Sequence, residues 1–139
     1  MLFYLWLNSV MVTMARSQVD DLLAQWEEAY KKGLLTFWLL LLLHEQPRYA
    51  FELSAAVAQA SNETIAADDQ SVYRALKRFE GMKIVSSYWE DSSQGPPRKY
   101  YRLTDLGEEL LRKFIQRNIL LFQDESVEKR VRAVLNGVS

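Results

Sequence analysis

The sequence predicts a mainly helical chain carrying one small β-hairpin, an α+β arrangement. Three observations carry this. Val72, Leu76 and Phe79, with Ala75 beside them, repeat at helical spacing from Gln70 onward. Arg74, Lys77 and Arg78 stand at i, i+3 and i+4, so they share the opposite face. Gly81 then reads as a helix stop, and two runs rich in β-branched and aromatic residues follow it, separated by a polar Gly-Pro-Pro turn region. A helix over about 70–81 thus leads into a hairpin over about 84–103. A basic helix face beside a basic-rooted hairpin is the plan of a winged helix-turn-helix, with the helix in the major groove and the wing on the backbone.

The same stretch resembles a known family. Ser71-Val-Tyr-Arg-Ala-Leu76, Arg78-Phe-Glu80, Ser92, Gly95-Pro96, Arg98-Lys-Tyr-Tyr-Arg-Leu-Thr104 and Gly107 are similar to the signature of PadR-type bacterial transcriptional regulators. Lys32-Gly33-Leu34 and Tyr49-Ala-Phe-Glu52 resemble that family's upstream motifs. The resemblance runs from about Glu28 to Phe114 and is strongest in the long Gly-Pro-x-Arg-Lys-Tyr-Tyr-x-Leu-Thr run. The chain departs from the pattern in two places. Gln46-Pro47 and Ala50 stand where the family has Gly-Pro and a glycine, and Gln70-Ser-Val-Tyr-Arg74 replaces a Gly-Thr-Leu-Tyr-Pro helix start. Base-reading positions are among those that differ, so operator identity does not transfer. The resemblance implies a cytoplasmic, homodimeric repressor that binds duplex DNA. It also implies an effector that is either a small hydrophobic molecule or a partner protein.

Composition fits that reading. At 139 residues and 49% hydrophobic, the chain can build one core of ordinary size. It has no cysteine, which excludes disulfides, zinc fingers and a thiol nucleophile and suits a reducing interior. Its one histidine, His44, lies in an apolar run, where a helix C-terminal role is commoner than metal ligation. Net charge is −1, but it is unevenly spread. Residues 1–69 carry −5, residues 70–103 carry +4, and residues 104–139 are neutral. The positive charge falls on the helix and hairpin, and local charge matters more than the total for binding a polyanion.

Four regions follow. Residues 1–16 form an apolar extension, too short and too broken by Asn8, Ser9 and Thr13 to span a membrane, and Met14 would serve as a second start. Residues 17–32 predict an amphipathic helix capped by Ser17, with Val19, Leu22, Leu23, Trp26 and Tyr30 on one side and Gly33 interrupting or bending it. Residues 33–104 are the winged domain. In it, Leu34 to His44 is a fully buried first helix, and Gln46-Pro47-Arg48 is a turn. A second helix from Tyr49 to Ala60 contributes Phe51, Leu53, Val57 and Ala58 to the core, and Asp68 or Asp69 caps the next. On the second strand, Lys99, Tyr101 and Leu103 point one way and Arg98, Tyr100 and Arg102 the other. Residues 105–139 start a helix capped by Thr104 and carry an apolar stripe through Leu110, Phe114, Leu121 and Phe122. The run Gln123–Ser126 leaves either one weakened helix or two with a bend.

The expected DNA contacts are Ser71, Tyr73, Arg74, Lys77 and Arg78 from the helix, and Arg98 and Lys99 from a wing stiffened at Gly95-Pro96-Pro97. Leu22, Trp26, Leu110, Phe114, Leu121 and Phe122 are the expected dimer contacts, because one winged core cannot bury both stripes. Trp26, Trp38, Trp89 and Phe114 are candidates to line an effector pocket; packing in the core or interface explains each one singly. No phosphate loop, metal-ligand spacing or nucleophile–base set is legible, so no cofactor, metal or enzymatic activity is expected. The rival reading is a winged-helix module for protein–protein contact without DNA binding.

Overall fold

Helix α1 runs from Leu2 to Glu45 without a break. It passes Ser17, where a cap was expected, and Gly33, where an interruption or a bend was expected; the interruption does not occur. A glycine inside a helix costs only about 1 kcal/mol. Ion pairs Glu27–Lys31 (2.6 Å) and Glu28–Lys32 (3.7 Å), each with the acid four residues before the base, support the turn leading to it. The computed structural model describes residues 1–137, without the side chains of 13–16, so Met14's side chain lies outside the described residues. No described helix is long and apolar enough to cross a membrane.

The chain divides at Thr36 into two units. In the first, Phe3 and Trp6 stack with ring centroids 6.2 Å apart, and Leu22, Trp26 and Tyr30 are exposed. The second begins at Phe37 and holds the core. There, Leu39, Leu40, Leu42 and Leu43 of α1 are buried, but Phe37, Trp38 and Leu41 are half-buried and His44 is exposed. The first helix of the domain is therefore buried on one side only.

The remaining elements follow in order. They are β1 (Arg48–Tyr49), α2 (Ala50–Ala60), α3 (Asp69–Gly81), β2 (Val85–Ser92), β3 (Gly95–Leu103), α4 (Asp105–Phe114) and α5 (Glu125–Leu135). The hairpin is part of a three-stranded antiparallel sheet in the order β1-β3-β2, with Tyr49 opposite Tyr100 and Arg48 opposite Tyr101. Where the sequence suggested only a turn, the residue after Pro47 continues into an extended pair, too short to leave a periodic signal. Leu53 and Val57 of α2, Val72, Ala75, Leu76 and Phe79 of α3, and Val85 and Tyr101 of the sheet fill the core.

Caps and junctions fix α3. Asp68 accepts a hydrogen bond from the backbone N–H of Ser71 at 2.6 Å, and that bond holds its carboxyl below the usual range. The helix does not end on a left-handed Gly81. Lys83 takes that role at φ 64°, with its N–H donating to Glu80 O and that of Ile84 to Phe79 O. Thr104 then ties the start of α4 to this junction. Its Oγ1 donates to Lys83 O (2.7 Å) and accepts from the N–H of Gly107, and its own N–H donates to Ile84 O (3.1 Å).

The Asp68 cap carries a pH signature. A depressed folded-state pKa contributes stability above the unfolded aspartate value, about 4. That contribution is lost as pH falls through the lower folded value. Asp68→Ala should therefore lower the melting temperature at pH 7, and the gap from the parent should narrow as the pH falls below the ordinary aspartate range. A gap of constant size across that range would place the effect elsewhere.

Past α4 the tail is not one helix. Ile115–Ile119 widen into a π-helical turn and Leu120–Gln123 tighten into a 3-10 turn. Asp124 then caps a separate α5 by accepting from the N–H groups of Ser126 and Val127. The two-helix reading with a bend is the correct one.

Candidate nucleic-acid interface

Burial and charge separate cleanly on α3. Val72, Ala75, Leu76 and Phe79 face the core, while Tyr73, Arg74, Lys77 and Arg78 are exposed and Ser71 is half-buried. A capped helix with one fully buried face has little freedom to rotate, so the side that carries the cations is fixed. Among the described residues, no carboxylate lies within ion-pair distance of Arg74, Lys77 or Arg78; Arg78 packs over the Phe79 ring at 5.4 Å. Arg48 stands in contrast: it bridges Glu45 and Glu52 at 3.0 and 3.2 Å.

Glu80 docks the hairpin on α3. It accepts a short hydrogen bond from the Ser87 hydroxyl of β2 and pairs with Lys99 Nζ of β3 at 3.6 Å. Burial works against the Lys99 ammonium, but Tyr101 and Glu80 outweigh it and raise its pKa above the ordinary lysine value. Of the two expected wing cations, Lys99 is thus turned inward and committed to the protein. Arg98 is on the opposite face from Lys99, as the alternation predicted, and that face is the outer one. Its guanidinium lies 4.7 Å from the centroid of the Tyr49 ring rather than in an ion pair with Glu90, the residue directly across the hairpin. Its N–H fork has no protein acceptor among the described residues. Tyr49, Tyr100 and Tyr88 form a row across all three strands, at 5.5 and 5.8 Å, and Arg102 covers the far end over Tyr88 at 5.5 Å. Sequence reasoning missed Arg102 as an exposed cation held in place by this row.

The turn of the wing is Ser93-Gln94, not the prolines. Gly95, Pro96 and Pro97 open β3, and the register slips between Glu90 and Ser92. Proline at the start of a strand, where no donor is called for, explains the placement.

Two other assignments need correction. Phe51, expected in the core, is 68% exposed. It falls off the Leu53–Val57 stripe, which helical spacing alone would have shown. With Ala50, Asp69, Gln70, Tyr73 and Arg74 it lines a groove of about 470 Å³ where the N-terminal turns of α2 and α3 meet. Trp89, expected in core or interface packing, is 69% exposed on β2 opposite Lys99. Of the four proposed effector aromatics, only Trp38 and Phe114 share a ring neighbour among the described residues: Phe37, at 5.7 Å from each. Trp26 is exposed in the first unit. The expected dimer residues Leu22, Leu110, Phe114, Leu121 and Phe122 are all exposed as well. His44 stands in the last turn of α1, and its Nδ1 lies 2.7 Å from Glu108 Oε2, joining the end of α1 to α4.

Comparison with known proteins agrees with this geometry. Residues 39–113 match the transcriptional regulator PadR-like family, and the chain belongs to it. A PadR family regulator from Eggerthella lenta is 27% identical, with 81% of this chain and 94% of that one covered, at a TM-score of 0.66. A PadR-like regulator from Bacillus cereus is 30% identical over 75% of this chain and 93% of its own, at 0.58. Bacillus subtilis PadR, solved in complex with operator DNA, shares the fold at 19% identity and a TM-score of 0.56, with 61% of this chain and 48% of that one covered. The chain is a PadR-family transcriptional regulator with a winged-helix fold.

Proposed function

We propose that this regulator binds duplex operator DNA as a cytoplasmic homodimer and acts as a repressor. Helix α3 enters the major groove, and the hairpin lies on the flanking backbone. The observation that carries this is the exposed face of α3, where Arg74, Lys77 and Arg78 have no carboxylate within ion-pair distance among the described residues, on a helix locked by its buried face. Ser71 and Tyr73 flank them at the N-terminal end, and Arg98 supplies the wing contact. Lys99 supports the wing from within. The solved complex of Bacillus subtilis PadR with operator DNA supports the choice of partner. The exposed stripes containing Leu22, Trp26, Leu110, Phe114, Leu121 and Phe122 pack on their symmetry mates, and a two-fold dimer calls for a palindromic operator. A small hydrophobic effector or a partner protein would act where Trp38 and Phe114 meet around Phe37.

The test separates base reading from charge. Arg74→Ala should cost about 1–3 kcal/mol if it makes a bidentate base contact, with relaxed specificity at one position. Lys77→Ala should weaken all sequences alike and reduce the slope of log affinity against log salt by about one. Fluorescence anisotropy with labelled duplexes across a salt series reads both. No binding to any duplex at low salt would leave the protein–protein module as the better reading.

A further inference from the structure

The groove between the N-terminal turns of α2 and α3 contains a residue that a phosphate-binding surface does not require. Phe51 lies in the first turn of α2, away from the core, with its ring 68% exposed. Tyr73 of α3 lines the same groove and is 50% exposed. Asp69, Gln70 and Arg74 complete the α3 side. Gln and Arg are the side chains that pair bidentately with adenine and guanine edges in the major groove. A phenylalanine ring can do neither. One base edge in that groove offers it a partner, the C5 methyl of thymine.

We propose that Phe51 is a specificity-determining residue that packs on a thymine methyl in the major groove, beside base edges read by Gln70 and Arg74. This inference rests on the DNA-binding reading and deepens it. The fold brings Phe51 beside the residues placed to read bases. In a helix-turn-helix the N-terminal residues of the second helix contact base edges while the first helix crosses the backbone. The first turn of α2 is the part of that helix that lines the groove with the start of α3. The lining also matches a base edge better than a protein partner. Arg74 has no ion pair among the described residues, so its charge is available to a nucleic acid. Asp69, at the start of α3, is the acceptor type that takes a hydrogen bond from a cytosine amine. An apolar ring among donors and acceptors is the arrangement needed to read several different base edges over a short span.

The test removes the methyl group from the DNA rather than the ring from the protein. A duplex is selected from a randomised pool by repeated binding to the full chain, and each thymine is then replaced singly by deoxyuridine. At one or more thymines the replacement should weaken binding about fourfold, the equivalent of roughly 0.8 kcal/mol for one buried methyl. Phe51→Ala should bind the thymine and deoxyuridine duplexes equally, and Phe51→Leu should retain part of the discrimination. Melting followed by circular dichroism should leave Phe51→Ala folded, because the ring is outside the core. Deoxyuridine tolerated everywhere, or discriminated as strongly by Phe51→Ala as by the parent, would overturn the inference while leaving DNA binding intact. Selection that enriches no duplex at all would overturn the DNA-binding reading, and this inference with it.

Discussion

Gly107→Ala is expected to destabilise the winged domain by about 3 kcal/mol or more, although alanine is the better helix former. A Cβ built at Gly107 would lie 2.1 Å from Ile84 O and 3.2 Å from Leu103 Cδ2. That carbonyl already accepts the Thr104 N–H at 3.1 Å, so it cannot move aside without breaking the tie between α4 and the α3–β2 junction. Replacing glycine by alanine inside a helix ordinarily gains up to about 1 kcal/mol. Overpacking a well-filled site costs about 1–3 kcal/mol, and more when rigid backbone is in the way. The clash wins, and the melting temperature should fall by about 10 °C or more. A Gly107→Ala protein that melts at or above the parent would show that α4 can shift freely. The glycine matters here because of close approach, not because it takes a left-handed conformation.

The pair Phe114→Glu with Leu121→Glu should abolish operator binding without touching a DNA-facing residue. Phe114 is 37% exposed at the end of α4, with one side against Phe37, and Leu121 is 52% exposed beyond it. Leu110, Leu120 and Phe122, close by in sequence, are exposed as well. Burying each large side chain is worth roughly 1.5–3 kcal/mol, so together they favour a self-associated state strongly. A dimer would place two recognition helices about one duplex turn apart, roughly 34–36 Å. Two carboxylates per chain in that surface would be buried unpaired and should split the dimer. Sedimentation velocity should give monomers, and affinity for a palindromic duplex should drop to the non-specific level. A double variant that sediments as a folded dimer would show that the interface lies elsewhere.

Helix α3 was legible because period, charge and cap agree: Asp68, the Val72–Phe79 stripe and Arg74–Arg78 are all local signals. The alternation of Arg98, Tyr100 and Arg102 against Lys99 and Tyr101 was equally plain. What the sequence hid was partnership. Nothing local says that Glu80 will take Lys99 inward, or that Tyr49 will draw Arg98 away from Glu90. Nor does anything local say that His44 will meet Glu108, 64 residues on. The left-handed stop at Lys83 was missed because lysine pays a steric cost there, repaid by the two hydrogen bonds that close the turn. The long α1 was misread for the opposite reason. Ser17 and Gly33 are real cap and break signals, but each costs too little to end a helix whose neighbouring residues favour it.

The slipped register between Glu90 and Ser92 has a consequence for crowded copies. A small sheet in the order β1-β3-β2 leaves β2 with one free edge, and the two-residue β1 covers only part of β3. Unpaired strand edges invite another chain's strand to add on. Here the register slips by one residue, the extra residue lying on β3 between Gly95 and Arg98, which breaks the regularity of the hairpin, and Glu90 and Asp91 on β2 add like-charge repulsion between approaching edges. On the other side, Pro96 and Pro97 offer no N–H donors to a newcomer. A hairpin suited to lying along a polyanion is by these means kept from zipping onto the hairpins of its neighbours.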